Sequence, residues 1–301
     1  MAPDLDVFIR SSSDPLLMVE YHRHFTHAMA FVPLGALMVS LILWPVMRSW
    51  LKLREIYGFA FLGYLTHGPL DAFTSYGTHL IWPFSPSRSA WNMVSVVDPL
   101  VTVPLLGCLL VALIKRRKTW VVVALAYLAC YLAAGLWQRE RALAAVRQLA
   151  AERGHQPLRM EASPTIGNLL LWRGYYEWSG YFFIDGVRPR LFADPVIYPG
   201  GKVEKFSAQK HYPELVTDSV ATKDIARFTF FADGWVGLHP HNHGHLGDMR
   251  YSALPNETLP LWGIAVDSER QEEHVSFHNY RNISKDRVRR LRSMIFARPL
   301  E

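Results

Sequence analysis

VSVVDPLVTVPLLGCLLVALIKRRKTWVVVALAYLACYLAAGLW, residues 94–137, decides how the rest of the chain is read. Two apolar runs, 94–114 and 120–137, flank the cationic quartet Lys115-Arg116-Arg117-Lys118. A helix that crosses the hydrocarbon core needs ~20 mostly apolar residues, and each run approaches that length. Working outward, residues 25–47 hold no charge after His27 and are closed by Arg48, Lys52 and Arg54. A weaker run, 56–72, carries His67 and Asp71 near its end. These runs predict an α-helical membrane domain of about four transmembrane helices over residues 1–137. No cationic segment, short apolar stretch and cleavage site precede them, so no removable signal peptide is expected.

The remainder is polar. Residues 138–153 (QRERALAAVRQLAAER) keep a helical pattern and read as a connector extending the last span. From Gly154 the chain turns to short β-like runs at 169–176, 180–185, 227–231, 235–238 and 261–266, punctuated by Asp185-Gly186, Pro199-Gly200-Gly201 and Asp233-Gly234. Residues 154–301 are therefore expected to form a small, mainly-β (α+β) soluble domain. Its basic tail, Lys285 to Arg298, reads either as an amphipathic helix touching anionic lipid or as a solvated terminal helix.

Composition excludes several classes. The 301 residues are 50% hydrophobic and 19% charged, without the bias of disorder, collagen or a coiled coil. Two cysteines, both inside apolar runs, cannot build a disulfide framework or a four-thiolate zinc site. The net charge of +6 resides largely beside the apolar runs, so no nucleic-acid partner is implied and the expected partner is the lipid bilayer. With four spans, Arg48, Lys52, Arg54 and the 115–118 quartet fall on one side, which the positive-inside rule makes cytoplasmic. The N-terminus, the 73–93 loop and everything after Trp137 then lie outside.

Ionisable groups near membrane depth are costly and tend to be functional. Here Asp4 and Asp6 precede the first span, and His22, His24 and His27 open it. His67 and Asp71 close the second span, and Asp98 opens the third. The alternating topology brings all of these to one membrane face. His67 and Asp71 are four apart, one helical turn on one face, where two side chains can share an ion. His27 can share a face with His22 or His24. Imidazole with carboxylate suits Zn, Mn or Fe, whereas Mg and Ca prefer all-oxygen sites. Asp98 also fits a plain helix cap ahead of Pro99, and His67 a hydrogen-bonded core histidine. Thr74 and Ser75 fit groups that orient a ligand. His239, His241, His243 and His245 read as a loop, given Pro240, Gly244 and Gly247, and stand outside the site. No phosphate-binding glycine loop, dinucleotide fingerprint or G-x-S-x-G elbow occurs.

At these residues the sequence resembles the YdjM-like family of inner-membrane, metal-dependent hydrolases. The matching stretches are PDLD (3–6), HRHFTHA (22–28), THGPLDAFTSYGTHLIWPFS (66–85) and VVDPL (96–100), and in the soluble half SPTIGNLLLWRG (163–174), FADGW (231–235) and GDMRY (247–251). Members usually carry one more helix, with a Thr-His pair, ahead of the PDLD-type segment; this chain starts at that segment. The resemblance implies an inner-membrane location and a divalent-metal site, most simply zinc (Mn or Fe as alternatives), with one or two ions. The implied ligands are Asp4, Asp6, His22, His27, His67, Asp71 and Asp98, with Asp98 or Asp6 as general base. It implies a hydrolase acting by metal-activated water on a lipid or lipid-linked ester or phosphoester. The competing expectation is a non-enzymatic protein whose metal is structural and whose soluble domain binds a partner. A small transporter fits less well, because the fourth span carries no such group at mid-depth.

Overall fold

The structure, a computed structural model, describes residues 2–297. The chain divides into two compact units, Met1–Trp91 and Asn92–Glu301. The division falls at residue 91, where the sequence reading places it at 137. The reason is that the third and fourth apolar runs pack on each other, and the helix that continues the fourth run past residue 137 packs on the β-rich part of the chain.

The first unit opens with a 3-10 turn, Pro3–Phe8, and a short helix α1 (Leu17–Tyr21). After a 3-10 turn at Phe25–His27, α2 (Val32–Met47) and α3 (Leu53–Ala72) form an antiparallel hairpin. Pro33 starts α2, where its missing N–H costs nothing. Glu55 starts α3 by accepting the Lys52 backbone N–H at 2.7 Å. The buried face of α2 is made of Val32, Gly35, Ala36 and Ser40. A Cβ at Gly35 would stand 2.6 Å from the Tyr64 ring, so the glycine lets α3 approach. Leu34, Leu41, Ile42 and Val46 point outward.

In the second unit Asp98 caps α4 (Pro99–Lys115), which packs against the first half of α5 (Thr119–Glu152). The 34-residue α5 is ~50 Å long at 1.5 Å per residue, more than a bilayer needs. Its second half anchors the β domain: Ala142, Leu143, Val146 and Ala150 pack on Trp172, Tyr176 and Val187. That sheet is an antiparallel meander of β1 (Arg159–Pro164), β2 (Trp172–Trp178), β3 (Tyr181–Arg190) and β4 (Ala193–Glu204). After α6 (Ala208–His211) and α7 (Val220–Phe231) comes a second meander of β5 (Val236–Leu238), β6 (His245–Asp248), β7 (Trp262–Ala265) and β8 (Ser276–Asn279), then α8 (Lys285–Phe296).

The architecture is a helical N-terminal region followed by a β-rich domain. Among the described residues, two helices are long and apolar enough to cross a membrane, Met29–Met47 and Thr119–Glu152. Of the other expected spans, α4 has only 17 residues, and α3 has the length but carries Arg54, Glu55, His67 and Asp71 at its ends. The run at 227–231, read as a strand, belongs to helix α7. Ser219 caps that helix by accepting the Thr222 N–H, and Ala221, Asp224, Ile225 and Phe228 are buried at helical spacing. β1, β4, β6 and β8 were not foreseen. The basic tail is helical through Phe296, with Leu291, Met294 and Ile295 packed inward and Arg289, Arg290 and Arg292 exposed; Arg298 lies outside the described residues.

Candidate metal centre

Three segments of the first unit deliver four side chains to one point. Asp4 comes from the opening 3-10 turn, His27 from the turn before α2, and His67 and Asp71 from consecutive turns of α3. One ligand-type atom of each lies within 4.8 Å of the other three. His27 Nε2 lies 3.1 Å from Asp71 Oδ2 and 3.5 Å from Asp4 Oδ1. His67 Nε2 lies 3.3 Å from Asp4 Oδ1 and 3.5 Å from Asp71 Oδ2. A tetrahedron with metal–ligand bonds of ~2.0–2.1 Å has edges of about 3.3–3.4 Å, so these separations suit a common ion.

Two of those atoms carry the test of fit. His27 Nε2 and Asp71 Oδ2 are buried and neither makes a hydrogen bond, although they are 3.1 Å apart. An unsatisfied buried pair is expensive. A divalent ion between them would satisfy both. The four residues therefore fit a divalent ion.

Other groups hold the four in place. Asp6 is buried and accepts from Arg23 N–H at 2.9 Å and Thr26 Oγ1 at 2.7 Å. It also stands 2.9 Å from His22 Nδ1 and 3.2 Å from His27 Nδ1. Burial raises its carboxyl, but hydrogen bonds from His22, His27 and Thr26 outweigh this and hold it well below the usual carboxylate range. A carboxylate on Nδ1 fixes the ring and leaves Nε2 for metal, the usual support for a ligating histidine. Asp6 and His22, expected as ligands, thus stand behind His27 rather than among the converging four. Asp98, expected as ligand or base, lies in the other unit. There it accepts the Leu100 N–H at 3.0 Å as helix cap and the Tyr131 hydroxyl at 2.8 Å.

The sequence reading missed Arg23. Its guanidinium reaches Asp71 Oδ1 at 3.2 Å and the Thr74 hydroxyl at 2.8 Å, and lies over the Tyr76 ring. Asp71 so offers one oxygen to Arg23 and the other to the cluster. The only sequence signal was a cation between two histidines, in HRH at 22–24. Gly68, between His67 and Asp71, sets the approach: a Cβ there would stand 2.4 Å from the His27 carbonyl oxygen. His24 packs instead against His79, Tyr21 and Trp82. In the β-rich part the distinctive motifs hold the fold together. Arg250 pairs with buried Asp248 at 2.7 Å, and buried Arg173 donates to the carbonyls of Met249, Pro255 and Glu257.

Two helices long and apolar enough to cross a bilayer, and a two-histidine, two-carboxylate cluster at the end of a helical hairpin, are what the described residues offer: candidate spans and a candidate metal centre. Residues 1–142 match the model of the YdjM inner membrane protein family, so the resemblance carried by the motifs holds over that stretch. The match ends inside α5, leaving the β domain to the motifs alone. Among curated proteins, the uncharacterized protein YfhP of Bacillus subtilis (strain 168) is 26% identical over 100 residues, 33% of this chain and 30% of the relative's length. The chain thus spans under a third of that relative. No solved structure matches.

Proposed function

We propose that this protein is a metal-dependent hydrolase of the bacterial inner membrane, acting on a lipid or lipid-linked ester or phosphoester. The observation that supports it most is the convergence of Asp4, His27, His67 and Asp71, with His27 Nε2 and Asp71 Oδ2 buried and unbonded. Zinc is the first candidate, with Mn or Fe next. In this reading α2 to α5 all cross the bilayer, with the 48–54 and 115–118 turns in the cytoplasm and the β domain on the periplasmic side.

A bound divalent ion supplies Lewis acidity and a water acidified toward pKa ~7. The chain's own residues do the rest. Asp6 holds the His27 ring, and Arg23 holds Asp71. Side-chain exposure falls from 40% at Asp4 to 22% at His67, 18% at Asp71 and zero at His27, so substrate and water arrive from the Asp4 side. Asp4 is then the carboxylate placed to take a proton.

A second reading has its own observation. Four protein ligands already complete a tetrahedron, as in structural zinc sites, whereas catalytic sites keep a position open. The ion would then clamp the opening segment to the α2–α3 hairpin. Headgroup release from lipid phosphoesters by metal-loaded protein in mixed micelles separates the two. Turnover lost in Asp71→Asn supports the hydrolase. Stoichiometric metal without turnover on any lipid ester or phosphoester favours the clamp.

A further inference from the structure

We propose that one end of the β domain is immersed in the headgroup layer of the membrane that α4 and α5 cross; this rests on the reading of those helices as spans. The meander fixes which end. Pairing of Pro164 with Trp172 and of Arg190 with Ala193 puts the β1–β2 loop and the β3–β4 tip together. Pairing of Trp178 with Tyr181 puts the β2–β3 turn at the opposite end.

Three hydrogen bonds tie the first end to the points where the apolar helices begin and end. Gly167 N–H donates to Val97 O at 3.1 Å, one residue ahead of the α4 cap. Gln138 Nε2 donates to Leu169 O at 3.2 Å, one residue past Trp137. The Arg141 guanidinium donates to Arg190 O and lies over the Trp137 ring. An exposed tryptophan beside an arginine at the end of an apolar helix is the usual marker of the membrane interface.

The same loops expose apolar side chains. Phe192 at the β3–β4 tip is 98% exposed and its neighbour Leu191 62%. Ile166 and Leu170 are 59% and 40% exposed in a β1–β2 loop that is built rather than slack. Asn168 accepts the N–H groups of Leu170 and Leu171 and donates to Thr165 and Ile166. Apolar side chains held outward at the depth where α5 leaves hydrocarbon have one natural solvent, the interfacial layer of that bilayer. The opposite end stands clear: Leu158, beyond β1, lies ~20 Å away along the six-residue strand.

Nitroxide labels test this in full-length protein in nanodiscs, with Cys108 and Cys130 replaced by serine. Single cysteines replace Phe192, Leu158 (78% exposed) or Leu125 (63% exposed, in the apolar first half of α5). Collision with oxygen, which enters lipid, is compared with a nickel chelate, which does not. The proposal expects oxygen to dominate at 125, and chelate collisions at 192 to be several-fold below those at 158. Equal chelate access at 192 and 158, with 125 in lipid, overturns the proposal alone. Free chelate access at 125 overturns the span reading and the proposal with it.

Discussion

Gly68→Ala tests whether the metal centre depends on the backbone approach that the structure displays. A methyl group at residue 68 would stand 2.4 Å from the His27 carbonyl oxygen and 3.1 Å from Leu80 Cδ2. Leu80 can swing aside, but a backbone oxygen cannot. An ordinary carbon–oxygen contact of ~3.3 Å asks the His27 segment to retreat by about 0.9 Å. Metal–ligand distances hold within about 0.2 Å, so His27 leaves the set. The expected loss in metal affinity is at least ~100-fold, or about 2.7 kcal/mol. Alanine is the better helix former by ~1 kcal/mol, whereas overpacking costs ~1–3 kcal/mol. Chelator-competition titration of the purified variant beside wild type reads the effect. Wild-type affinity in Gly68→Ala would refute the assignment of His27 as a ligand held by this contact.

Asp6→Asn keeps the size of the group behind His27 but removes its charge; metal affinity should fall ~10–100-fold with helicity unchanged by circular dichroism. Asp98→Ala should lower thermal stability by ~1 kcal/mol through the lost cap and leave metal content at the wild-type level; metal loss would make Asp98 a ligand after all. Burial first, with His24 and Arg88 adding to it, pushes His79 down to about 3. Its unfolded form takes up a proton near pH 6.5, so stability is full above that pH and falls as pH drops toward the folded value. Unfolding midpoints from pH 7 to 4 should show a decline of about 2–3 kcal/mol that is shallower in His79→Gln.

The apolar helices and the pair His67/Asp71 were legible because helical period and charge placement are local properties of the chain. So were the short β-like runs around Trp172–Trp178 and Trp262–Ala265, bounded by turn residues. The 227–231 segment misled because a short aromatic run has no period of its own, and the deciding cap, Ser219, lies eight residues upstream. β4 was hidden by Pro195, Pro199 and two glycines, which the meander tolerates at its edge. Within the site, sequence could group Asp4, Asp6, His22 and His27 but not rank them. Whether a carboxylate faces the metal or the back of a histidine depends on the fold of a 3-10 turn. Arg23 was invisible because its role comes from Asp71, 48 residues away.

Metal content by elemental mass spectrometry on full-length protein purified in detergent, beside His27→Ala, His67→Ala and Asp71→Asn, bears most directly on the central claim. The account predicts about one equivalent of Zn, Mn or Fe per chain, set by four protein ligands at one ion, and its loss in all three variants. Metal that persists in the variants, or a wild-type protein that takes up none when zinc, manganese or iron is supplied, would contradict it.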